Sequence, residues 1–306
     1  MKIRNPNIPK DIRDELEYLE ESHFTFDKPV KFLEGLTLYP VTVRNYNEFL
    51  SCSACMTLNK NEDPMGITMT NLAYLISKMT DKEMGRITTL QFSRLVELIF
   101  KLKNGIKCKK CGRVYSYREY IDKLQSQVQD EQNQEAGIVC DDCGCEEFME
   151  VIKYQTNPQT NQKELVIDGV VVGNEDFNRL RQIVLYQNLP DYQDDSWVDS
   201  QLKADEEKKR ELLRKKNNVS ATLEKKIVCV SAKSCYKIEE LYDMTIRKFL
   251  MLLTAIDDAL TYEATRVGMM TGMVSMKEPP EHWIYKKNDS MYGKASTLDA
   301  YKEKIR

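Results

Sequence analysis

The residues best suited to chemistry are cysteines. Cys108-Lys-Lys-Cys111 and Cys140-Asp-Asp-Cys143 are two CxxC pairs, separated by residues 112–139. Such pairs bring four thiolates within reach of one tetrahedral ion, with zinc–sulfur bonds of about 2.3 Å. Gly112 and Gly144 directly follow the second cysteine of each pair. Glycine there lets backbone amides turn toward the sulfurs without a Cβ clash. The spacing predicts one structural Zn2+ held by Cys108, Cys111, Cys140 and Cys143. Cys145 offers a substitute for Cys143, although the CxxC spacing favours Cys143. Tyr115, Tyr117 and Phe148 are expected to cover the site. The Gln-rich spacer YIDKLQSQVQDEQNQEAG reads as a helix or an arm.

Other chemistry is sparse. His23 and His282 are the two histidines, too few for the His ligands that catalytic zinc usually takes. There is no GxGxxG, GxxxxGK[ST], HExxH or GxSxG motif. Asp257 and Asp258 are adjacent in a helical pattern, so they point about 100° apart and do not share a face. His282 reads as a surface or packing residue. Cys52-Ser-Ala-Cys55 is a lone CxxC in a helical pattern and reads as core, and Cys229 and Cys235 read as buried thiols flanking a strand. These observations favour a protein that is not an enzyme.

Bulk properties agree with that reading. The chain has 306 residues, 45 basic and 48 acidic, for a net charge of −3, without the basic excess usual in nucleic-acid binders. Nine cysteines with paired CxxC spacing suit a reducing compartment better than a disulfide framework. MKIRNPNIPKDIRDELEY has no apolar run for a signal peptide, and the apolar run near Phe249–Ile256 is too short to span a bilayer.

The elements that must position the cysteines are mostly helical. Val30 to Val43 reads as a hairpin turning at Glu34-Gly35, and residues 44–58 as a helix. Thr68 or Thr70 caps another helix, and Thr88-Thr89 begins a third. Asp168-Gly169 joins Leu165–Ile167 to Val170–Val172, followed by a helix from Asn174. Trp197 to Asn218 reads as a solvated helical linker, Ile227–Val230 as a strand, and Ile238 to about Val267 as one long helix. On that helix the stripe Ile238, Phe249, Leu253, Ile256 and Leu260 is expected to lie against the chain's own body. The fold class is α+β, mainly helical, with short β-hairpins and an inserted four-cysteine, zinc-ribbon-like module. The expected segments are an N-terminal hairpin-plus-helices domain (1–105), the zinc module (106–154), a hairpin–helix unit (155–190), the charged linker (191–226) and the C-terminal helix and tail (227–306).

Three stretches carry a resemblance: LTLYPVTVRNYNEF at 36–49, VVGNEDFNRLRQIVLYQN at 171–188, and MTIRKFLMLLTAIDDALTYEATRVGMMTGMVSMKEPPEHW at 244–283. Their order resembles baseplate and tail assembly proteins of contractile-tailed bacteriophages. The resemblance implies a non-enzymatic structural or assembly component that acts on other tail or baseplate proteins. It would reside in the host cytoplasm during assembly or in the virion, with no membrane or nucleic-acid partner and with self-association open. The zinc module is not part of that resemblance. Met269, Met270, Met273 and Met276, running into Trp283 and Tyr285, form the expected partner surface, because methionines adapt to partner shapes. The alternatives are a zinc-ribbon nucleic-acid-associated or regulatory protein, marked by a basic stripe at Lys107, Lys109, Lys110 and Arg113, and an enzyme whose site has no sequence signature.

Overall fold

The computed structural model describes residues 8–129, 138–192, 221–273 and 280–285. The fold is α+β and mainly helical, with short antiparallel hairpins and the cysteine module inserted. The chain divides into two compact units: residues 28–41 with 45–185, and residues 1–27 with 42–44 and 186–306. This grouping cuts across the sequence segments 1–105 and 155–190. It depends on pairings far apart in sequence, for which no local pattern is a signal.

The first unit opens with the hairpin β1 (Val30–Leu33) and β2 (Leu36–Leu38), paired Val30 to Leu38. Gly35 has φ 85°, which the two-residue turn requires. Val30, Phe32, Leu36 and Leu38 alternate inward and are buried. Helices α2 (Tyr46–Ser53), α3 (Asn71–Met79) and α4 (Gly85–Phe100) follow. Thr70 caps α3 by accepting the Ala73 amide at 3.2 Å. Helix α4 begins three residues before the expected threonines; Asp81 accepts the Glu83 and Met84 amides in the turn that leads into it. Strands β6 (Ile152–Thr156), β7 (Lys163–Ile167) and β8 (Val170–Val172) form a meander, its second turn Asp168-Gly169 at φ 48° and 85°. Helix α6 (Asn174–Asn188) lays Phe177, Leu180, Ile183 and Val184 into the core, where Phe177 meets Phe92 of α4 at a ring distance of 6.5 Å. The buried Arg181 is satisfied by donating to the Met56 carbonyl at 2.7 Å. Cys52 and Cys55 are both buried here. Burial pushes the Cys55 thiol up to about 12, as expected of core sulfur and not of a redox pair.

The second unit contains helix α1 (Lys10–Ser22) and the helices α7 (Leu223–Lys233), α8 (Ile238–Asp243) and α9 (Ile246–Met270). Two expectations are corrected here. Residues 227–230 are helix, not strand: Thr222 caps α7 through the Lys225 amide, and Ile227 and Val230, three apart, turn inward together. The same rotation exposes Cys229, and Cys235 is exposed as well. The long helix is not continuous. Met244 and Thr245 are extended, with the Val43 amide donating to the Met244 carbonyl at 2.9 Å and Thr42 bridging to Thr245. Thr245 then caps α9, accepting the Lys248 amide at 3.3 Å. Val43, Ile227, Val230, Leu241, Met244 and Phe249 form an apolar core cluster in this unit. Leu253 and Ile256 pack partly against it, while Leu260, 42% exposed, lies beyond it, which corrects the expected stripe at that end. Arg247 is buried beside it, bound to the Tyr186 carbonyl and to Glu20, each at 2.7 Å. The charged segment Trp197–Asn218 lies outside the described residues.

Candidate metal centre

The cysteine module interrupts the first unit between α4 and the meander. Strand β3 (Ile106–Cys108) is central, flanked by β4 (Val114–Tyr115) and β5 (Phe148–Glu150), both antiparallel to it. Helix α5 (Tyr117–Gln129) leaves from β4. The module is anchored to the meander's turn by Lys107, whose Nζ meets both carboxylate oxygens of Asp168 at 2.6 and 2.8 Å.

The sulfurs of Cys108, Cys111, Cys140 and Cys143 all lie within 4.8 Å of one another. Cys108 and Cys143 are 3.6 Å apart, and Cys111 and Cys140 are 3.5 Å apart. Tetrahedral zinc–thiolate bonds of about 2.3 Å require sulfur separations of about 3.8 Å. The cluster fits that requirement, and four sulfurs are a closed, soft donor set suited to a structural ion.

Two local turns build the cluster in the same way. The Cys108 amide donates to the Arg113 carbonyl at 2.8 Å, and the Gly112 amide returns to the Cys108 carbonyl at 3.0 Å. The Cys140 amide donates to the Cys145 carbonyl, and the Gly144 amide returns to the Cys140 carbonyl, both at 2.9 Å. Gly112 and Gly144 have φ 77° and 66°, the left-handed backbone that closes each turn. Backbone amides then face sulfur: those of Lys110 and Cys111 toward Cys108, Arg113 toward Cys111, Asp142 toward Cys140, and Cys145 toward Cys143. Such donors stabilise thiolates and orient metal ligands.

Tyr115 supplies a further contact. Its hydroxyl donates to the Cys140 sulfur at 3.4 Å and accepts the Asp141 amide at 3.0 Å. That hydroxyl, with the Asp142 amide, brings the Cys140 thiol down to about 6. Phe148 packs edge-on against Tyr115 and Tyr120, at ring distances of 6.0 and 5.5 Å. Tyr117, expected as a cover, is 40% exposed; Tyr120, one turn further along α5, takes that place. The helical period, which puts Tyr120 on the face over the sulfurs, is the signal that could have found it. Cys145 is outside the four-sulfur group; its sulfur accepts the Glu147 amide at 3.4 Å.

Four basic residues of the module have acidic partners. Lys109 meets Glu147 at 3.1 Å, Arg113 pairs with Asp142, Lys123 pairs with Asp141, and Lys107 holds Asp168. Three of the four residues that would make a basic stripe, Lys107, Lys109 and Arg113, are therefore paired with carboxylates.

The methionine-rich end is only partly described. Met270 and Met273 are 81% and 85% exposed, while Met269 is half-buried. His282 lies 4.9 Å from the Tyr262 ring and stacks on Trp283 at 5.7 Å, so it packs the tail against α9. Met276 and the Tyr285 side chain lie outside the described residues. Among the described residues, no helix is long and apolar enough to cross a membrane.

Fold and site together define a mainly helical α+β protein with four cysteines clustered within metal-binding distance. Residues 214–288 match the family described as the YomV second domain, YomV being a protein of the Bacillus phage SPBc2 region. The match covers α7 through the Trp283 turn. No curated protein and no solved structure matches the chain.

Proposed function

We propose that this chain is a non-enzymatic structural or assembly component of a phage tail or baseplate, held in shape by one zinc ion and acting through contacts with other tail or baseplate proteins. The observation that carries the reading is the match of residues 214–288 to a phage-associated domain. The chain's own pattern supports it, with exposed Met270, Met273 and Ile284 at the end of that domain. Zinc is a staple in this reading. The module's own core is Cys108, Tyr115 and Cys140 with a few partly buried neighbours, too little apolar surface to hold a fold without a ligand. The nucleic-acid alternative is disfavoured by the carboxylates that meet Lys107, Lys109 and Arg113.

The test is deletion of the gene from the phage genome, followed by electron microscopy of lysates and mass spectrometry of purified particles. Tailless or baseplate-defective particles, rescued by the gene in trans, are expected. Normal particles and plating at full efficiency would remove the reading.

A further inference from the structure

Cys145 is the fifth sulfur of the module and the one that the four-sulfur group leaves out. It is half-buried and packs, with Cys143, against the cluster of Cys108, Tyr115 and Cys140. Its thiol donates to the Glu147 carbonyl at 3.8 Å, and its sulfur accepts the Glu147 amide at 3.4 Å. A free thiol is thus held beside a ligand, one residue away along the chain. That residue, Gly144, has φ 66°, and a Cβ placed on it would meet nothing within 4 Å. The turn between the two cysteines therefore has room to readjust. Cα atoms on either side of one residue are at most about 7 Å apart. A disulfide spans about 4.4–6.8 Å between Cα atoms. A change in the Gly144 turn suffices to join Cys143 to Cys145, with no other element displaced.

We propose that Cys143 and Cys145 are a redox pair, joined by a peroxide into a disulfide that releases the zinc ion. The inference rests on the zinc staple proposed above. Of the four ligands, Cys108 and Cys140 are buried, whereas Cys111 and Cys143 reach solvent. The sulfur beside Cys111 is that of Cys140, itself a ligand. Cys143 differs in having an uncoordinated thiol next to it along the chain. Hydrogen peroxide transfers one oxygen to the Cys143 sulfur: the O–O bond breaks, an S–O bond forms, and the sulfur gives up two electrons. The departing hydroxide takes a proton from solvent and becomes water. The Cys145 thiol then attacks the sulfenic sulfur; the S–S bond forms, the S–O bond breaks, and the oxygen leaves with the thiol proton as a second water. Three thiolates remain, the closed shell opens, and Zn2+ departs with its oxidation state unchanged. A dithiol reductant breaks the S–S bond, is itself oxidised, and restores the site.

The experiment uses the full zinc-loaded chain and Cys145→Ser, with the zinc content of both measured first. Each is exposed to dilute hydrogen peroxide, and released zinc is followed with a chromogenic chelator. Free thiols are then alkylated and the linkages mapped by mass spectrometry; cleavage before Asp141 and Asp142 separates Cys140 from the Cys143–Cys145 pair. The wild type should release its zinc, carry the Cys143–Cys145 linkage, and rebind zinc after dithiothreitol. Without Cys145 the sulfenic acid at Cys143 goes on to sulfinic acid, which dithiothreitol does not reverse, so zinc recovery should fall by roughly twofold or more. A wild-type chain with no zinc before oxidation would end both the staple and this proposal. With zinc bound at the start, three results would overturn the proposal alone: no release under peroxide, a Cys111–Cys140 or Cys108–Cys143 linkage in its place, or equal recovery in Cys145→Ser.

Discussion

The cysteine module and the α7–α9 core are both small, and they complete themselves in opposite ways. The α7–α9 core buries six apolar residues, from Val43 to Phe249. The module surrounds its four sulfurs with amides, a tyrosine hydroxyl and two further aromatic rings, leaving little apolar surface to hold it together. One region is stabilised by burial; the other, in the proposed reading, depends on a coordination shell. They should therefore respond to different perturbations, and each change below is chosen to separate them.

The largest effect should come from the shell. Cys111→Ser removes one thiolate of four, and structural zinc supplies on the order of 10 kcal/mol to modules of this size. Residues 106–154 should lose hydrogen-exchange protection, while α7–α9 keep theirs. Protection lost equally in both would end the comparison. Phe249→Ala is the reverse probe. Phe249 is fully buried, so the change should cost roughly 4 kcal/mol, read by denaturant unfolding, with zinc content unchanged.

Smaller effects sharpen the account of the shell. Tyr115→Phe deletes the hydroxyl that holds down the Cys140 thiol. Without it the thiol pKa rises, so protons compete with the metal at higher pH. Zinc release on acidification should move upward in pH, with affinity down about tenfold. A chelator-competition titration measures both, and an unchanged release profile would assign Tyr115 to packing alone. The smallest expected effect is that of Cys145→Ser, which should retain full zinc content. If zinc is lost there but kept in Cys143→Ser, Cys145 is the fourth ligand.

The two regions also differed in how legible they were. The four cysteines and their glycines are local signals, as are Glu34-Gly35, Asp168-Gly169 and the Thr70 cap, and the structure contains all of them. The α7–α9 region depended on partners far away in the chain. Ile227–Val230 has strand-like composition, yet Thr222 and the surrounding core make it helix. In residues 236–267 the Thr245 cap is the one local sign of the break at Met244-Thr245, and the pairing of that extended step with the Thr42–Val43 segment has no local signal. The neutralisation of Lys107 was equally hidden, since Asp168 approaches through a different hairpin.

The central claim is that the four sulfurs hold a metal staple. Its most direct test is elemental analysis of the reduced, purified full chain alongside Cys111→Ser. The account predicts one zinc per wild-type chain and a substoichiometric amount in the variant. A well-folded wild-type chain containing no zinc, with residues 106–154 protected from exchange, would contradict it.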